Sequence, residues 1–140
     1  MAYTIDEIYD LFIWDSHYSD EEYKKREKKG IDEAKKLKNL FPFIQPIIVP
    51  TDKSKSVWES CAKVISLKAD KEIEPFLYLL FEWLQDMNWP GAVIIFDRLS
   101  KIPYSTLKPS LEFSIEKAKR EKDEIWCLAL DDFKKKVKSK

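Results

Sequence analysis

Glycine is nearly absent: Gly30 and Gly91 are the only two in 140 residues. So few glycines leave little room for tight hairpin turns or Gly-rich phosphate loops, which favours helices over sheet. Histidine is scarcer, with His17 alone, and the two cysteines, Cys61 and Cys127, form no C-x-x-C pair. One histidine and two distant thiols argue against a zinc site, and no cofactor is expected. The thiols read as buried side chains on apolar helices in a reducing compartment. An excess of either charge is lacking too. The 25 Lys and Arg balance 25 Asp and Glu, which speaks against a dedicated nucleic-acid binder. No apolar run reaches the ~18 residues of a membrane helix. The opening Met-Ala-Tyr-Thr-Ile-Asp-Glu has no basic or apolar signal-peptide region. A cytoplasmic protein is expected.

Helix signals are plentiful. Thr4-Ile-Asp-Glu7 and Ser19-Asp-Glu-Glu22 are capping boxes. The first opens a helix through Ile8, Leu11, Phe12 and Ile13. The second opens a highly charged helix that Gly30 is expected to stop, with Tyr23 as its anchor, and Asp32 then caps another. Phe41 to Pro50 holds three prolines and reads as a connector. From Ile73 to Met87 the chain is apolar nearly all round, as in a helix buried between neighbours, and Pro75 fits its first turn. Asn88 then reads as the N-cap of a helix with Trp89 and Pro90 in its first turn.

A degenerate repeat runs from Pro50 onward. Ile73-Glu74-Pro75-Phe76-Leu77 matches Leu107-Lys108-Pro109-Ser110-Leu111 at a spacing of 34 residues, and both are expected to open a helix. Trp58 with Ala62, Trp89 with Ala92 and Trp126 with Ala129 mark three helix starts, each after a capping residue, Ser56, Asn88 or Asp123. Recurring helix pairs point to an all-α, HEAT-like superhelix over residues 49–140, with residues 1–48 as an N-terminal helical extension on the same core.

Glu82 to Ala92 (E-W-L-Q-D-M-N-W-P-G-A) resembles the hallmark of a bacterial domain-of-unknown-function family, number 5071. Val49 to Ser54, Trp58-Glu59, Ile73-Glu74-Pro75, Leu107-Lys108-Pro109 and Asp123 to Trp126 are similar to it in the same order, so the resemblance covers residues 49–133. It implies a compact HEAT-like domain with no established activity, cofactor or catalytic residues, near polymorphic-toxin immunity proteins. Residues 1–48 depart from the pattern.

Candidate chemistry is thin. His17 lies in Trp14-Asp-Ser-His-Tyr-Ser-Asp20, but sequence neighbours cannot converge as a triad, so it reads as a loop or cap residue. Glu82 and Asp86 are spaced i, i+4, which would set both carboxylates on one helix face. Such a pair could serve acid–base work or hold a cation. Alternatively, Gln85, Asp86 and Asn88 satisfy backbone groups at a helix-to-helix turn while Arg98 pairs with an acid. Trp58, Trp83, Asn88, Trp89, Pro90 and Trp126 read as the structural motif. Between residues 70 and 98, Asp70, Glu72, Glu74, Glu82, Asp86 and Asp97 face only Lys71 and Arg98, a net charge of −4. The leading expectation is a non-enzymatic, immunity-like or adaptor module that holds a basic protein partner on an acidic face of Glu82, Asp86, Gln85 and Asp97. One rival is nucleic-acid binding or processing through the basic stretches 24–38 and 134–140. Another is a small hydrolase using Glu82 and Asp86.

Overall fold

The computed structural model describes residues 3–45 and 55–139. It is all-α, with no strand among the described residues. The helices are α1 (Ile5–Phe12), α2 (Asp20–Lys35), α3 (Lys55–Ser66), α4 (Asp70–Ile73), α5 (Leu77–Leu80), α6 (Ala92–Leu99), α7 (Tyr104–Arg120) and α8 (Glu124–Lys138), with 3-10 turns at Phe41–Phe43, Glu74–Phe76 and Phe81–Gln85. None of the described helices is long and apolar enough to cross a membrane.

The two N-terminal capping boxes form as the sequence reads. Thr4 and Ser19 accept from the backbone N–H of Glu7 and Glu22, whose carboxylates reach back to the cap N–H groups. Gly30, however, does not end α2, and Asp32 lies inside that helix rather than capping a new one. The cause is close packing on α1. A Cβ at position 30 would lie 2.6 Å from Phe12 Cε1, so the glycine admits a buried ring. Tyr23 is not the sole anchor of α2. Its hydroxyl donates to Phe12 O at 2.8 Å, but Glu27 also accepts from Ser60 Oγ at 2.6 Å and from Lys63 Nζ at 3.1 Å on α3.

The segment after α3 departs further from expectation. Instead of one helix over 73–87, the chain enters α4 at Asp70 and alternates between α and 3-10 geometry up to Gln85. Pro75 lacks an N–H and crowds the preceding turn, which accounts for the first 3-10 stretch. In the second, Trp126 Nε1 takes the Phe81 carbonyl at 3.0 Å and Gln85 Nε2 takes that of Glu82 at 2.9 Å, so side chains satisfy oxygens that a continued helix would use. Burial is as the composition requires: Ile73, Leu77, Leu80, Phe81, Trp83 and Leu84 are all in the core.

The expected helix starts also move. Asn88, Trp89 and Pro90 lie in a turn before α6, whose N-cap is Gly91 in the left-handed region at φ 84°. Leu107 does not open a helix; α7 begins at Tyr104 and carries Pro109 inside it. Ser56 lies within α3 and accepts from Trp14 N at 2.8 Å. Of Ser56, Asn88 and Asp123, the last caps as expected, accepting from Trp126 N at 3.0 Å. The 34-residue sequence match is therefore not a match of local geometry. In space α1 packs on α2, α2 on α3, α3 on α6, α5 on α7 and α7 on α8. One hydrophobic cluster runs from Ile8 and Phe12 through Trp58, Trp83 and Trp126 to Phe133 and Val137. Of the connector, Phe41–Phe43 forms a 3-10 turn around Pro42. Residues 46–50, and the 49–54 segment of the family pattern, lie outside the described residues.

Candidate functional site

The hallmark stretch folds around its own backbone. Trp83 is fully buried, and its indole N–H donates to Pro90 O at 2.9 Å, closing the chain from Trp83 to Pro90 into a loop. Asp86 Oδ1 accepts from Asn88 N at 2.8 Å, an Asx turn that reverses the chain. Trp58 holds this loop against α3, with its ring edge-on to Trp83 and Trp89 at centroid distances of 6.3 and 5.5 Å. Gly91 fits where a side chain would not, since a Cβ there would lie 2.7 Å from Ala62 Cβ.

The four candidate partner-binding residues are spread over this loop and α6, and each has an internal bond. Glu82, with 19% of its side chain exposed, accepts from Lys117 Nζ at 2.9 Å. That hydrogen bond raises the Lys117 pKa. Asp86 lies beyond the last 3-10 turn in extended geometry, at φ −143°, so Glu82 and Asp86 do not share a helix face. The spacing argument for a paired-carboxylate site fails because the helix ends one residue too early. Gln85 bonds to the Glu82 carbonyl. Asp97, 63% exposed, meets Lys136 at 3.1 Å.

Arg98 joins Asp70 at 2.7 Å and the Lys68 carbonyl at 2.8 Å. Lys68 in turn is buried and donates to the carbonyls of Leu37 at 2.7 Å and Lys35 at 3.3 Å. This lysine, which the sequence does not single out, seals the C-terminal end of α2, where carbonyls lack helical partners. The acidic excess of residues 70–98 is thus largely answered by cations of the same chain.

The remaining candidates separate cleanly. His17 is 89% exposed, with Nδ1 2.6 Å from Asp15 Oδ1, in the loop before α2. Cys61 is fully buried, and burial pushes its thiol up to about 12 against a small opposing effect of the Gln45 amide. Cys127 is half-buried, which corrects the expectation of two buried thiols: α8 turns its 127–128 edge outward. No group of three His, Cys, Asp or Glu among the described residues could hold a metal ion. The basic face of α2 is partly spent on its own acids, Lys28 on Asp32 and Lys36 on Glu33, both at 3.1 Å.

Sequence reasoning missed an open groove of about 810 Å³ along α7 and α8, with Ile115, Cys127 and Leu128 as its apolar lining. Leu128 and, one turn back, Ile125 are each 67% exposed. A smaller apolar depression of about 280 Å³ lies between Tyr78 and Phe113. The available signal was Ile125 and Leu128 lying off the face formed by Trp126, Ala129, Leu130 and Phe133.

A family model described as "Domain of unknown function (DUF5071)" matches residues 48–138, more than half of the chain. No curated protein and no solved structure matches it.

Proposed function

The chain belongs to the DUF5071 family, and we propose that it is a non-enzymatic protein-binding module of the immunity-like or adaptor kind. The observation that carries this reading is the groove along α7 and α8. It is an open trough rather than an enclosed chamber, and aliphatic side chains left over from core packing line it. Exposed apolar surface gathered in one place, with polar residues at its rim, suits a protein partner. The hydrolase reading is disfavoured by Asp86, whose carboxylate serves its own turn.

The acidic residues take a secondary part in the proposal. A basic partner would have to displace Lys136 from Asp97 and Lys117 from Glu82. The exposed Asp97–Lys136 pair contributes little to affinity and more to association rate and salt dependence.

The test is retention of a protein from the native host's lysate at low and high salt. Wild type is compared with Ile125→Glu/Leu128→Glu and with Asp86→Lys/Asp97→Lys, a pair that spares the Glu82–Lys117 tie. A specific protein held by wild type and lost by the apolar variant supports the reading. Loss by the lysine variant alone moves the site to the acidic loop. Retention of nothing by wild type at either salt overturns the proposal.

A further inference from the structure

We infer that the α7–α8 groove receives an acidic amphipathic helix of a partner protein. The inference rests on the protein-binding reading above and adds the chemistry of the occupant. Its lining pairs an apolar strip, Ile115, Cys127 and Leu128, with a lysine rim of Lys119, Lys122 and Lys134. Among the described residues Lys122 and Lys134 make no ion pair, and Lys119 reaches Glu116 only at 4.0 Å. Two carboxylates also line the groove, Glu124 and Asp131. Asp131 is already matched by Lys135 at 3.1 Å, and Glu124 lies in the first turn of α8, where a negative charge suits the helix dipole.

At its far end the groove runs into a second depression of about 490 Å³, which shares Asp131 and Lys134 and adds Lys138 beside the Lys135 that already matches Asp131. Positive charge therefore lines the whole trough in surplus. The 15 residues of α8 span about 22 Å at the helical rise, which matches about four turns of a partner helix.

A helix laid in such a trough places aliphatics at i, i+3, i+4 and i+7 on Leu128 and Ile115. Acids on its two flanks then meet the unpaired lysines. A basic helix would set like charges against the same rim, which is how a groove rejects a wrong partner.

The experiment uses the full chain and synthetic helical peptides of about four turns, followed by fluorescence anisotropy at low salt. One peptide carries leucines at helical spacing flanked by glutamates. A second has lysine for each glutamate, and a third has the leucines scrambled. The glutamate peptide is expected to bind saturably and at least ~10-fold more tightly than the other two, about 1.4 kcal/mol. Leu128→Glu should cost a similar factor, and Lys122→Glu/Lys134→Glu should turn the preference toward the lysine peptide. Circular dichroism of each variant checks that the substitutions leave the fold intact.

Equal binding of the glutamate and lysine peptides, or a preference that the charge swap leaves unchanged, overturns the inference. So does concentration-dependent self-association abolished by Leu128→Glu, which assigns the groove to a second copy, or binding to anionic lipid vesicles in place of the peptide. If the peptides fail while a lysate protein is still retained through Ile125 and Leu128, the inference falls and the protein-binding reading stands.

Discussion

The Cys61 thiol keeps its proton in the folded protein far above the pH at which an exposed thiol loses it, because burial pushes it from 9.0 up to about 12. The sign of the stability effect follows. Above about pH 9 the unfolded chain releases this proton while the fold retains it, so unfolding gains favour as pH rises. The contribution is complete below pH 9 and is lost on the way to pH 12. Lys117, raised by its bond to Glu82, and Tyr9, raised mainly by burial, act in the same direction. The substitution Cys61→Ala isolates the thiol's share. Urea midpoints measured between about pH 8 and pH 11 should fall with pH in wild type and fall less steeply in the variant. Parallel slopes would mean that the thiol is not held protonated by the fold. Burial of Cys61 could be read from its apolar neighbours in sequence. The half-exposed state of Cys127 could not, because it depends on which edge of α8 meets α7.

Among the elements, the turn between the last 3-10 stretch and α6 gives its conspicuous residues structural tasks. Trp83 closes it through Pro90 O, Asp86 bends it through Asn88 N, and Gly91 ends it at φ 84° against Ala62 and Trp58. Each conspicuous residue has a backbone or packing task. The substitution Gly91→Ala should therefore cost about 2–4 kcal/mol, from left-handed backbone strain together with overpacking. Thermal unfolding should show a clear drop in Tm, and near-UV circular dichroism should show altered tryptophan signals. A wild-type Tm would remove the turn's claim to be a structural motif.

Capping chemistry at Thr4, Ser19 and Asp123 was legible because those side chains bond within three residues of themselves. Gly30 and the start of α7 were not. Gly30 answers to a phenylalanine on another helix. Leu107 and Pro109 look like a helix opening only if Pro103 and Tyr104 are ignored. The shared helix face of Glu82 and Asp86 was misread for a related reason. An i, i+4 pair is a face only where the helix lasts, and this one ends at Gln85.

For the whole molecule, the boundary of the family match and the boundary of the core do not coincide. The match starts at residue 48, yet Ile8, Phe12, Ala34, Leu40, Phe43 and Ile44 are buried in the same cluster as Trp58 and Ile65. Polar ties cross the divide as well, among them Glu27 to Ser60 and Lys63, Trp14 N to Ser56, and Lys68 to the carbonyls of Lys35 and Leu37. A chain cut to residues 48–140 would uncover the α3 face that α1 and α2 protect, and would leave the Lys68 ammonium without its carbonyl acceptors. Five of these six buried side chains are large, and at roughly 1.5–3 kcal/mol each their loss is comparable to the whole 5–15 kcal/mol that typically holds a folded protein together. The truncated chain should therefore lose its cooperative thermal transition, bind a hydrophobic dye, and lose fixed tryptophan signals while keeping much of its helical content. A sharp transition with native near-UV signals would instead show that residues 48–140 fold alone. In that case the first two helices would be a removable layer on a core that stands without them.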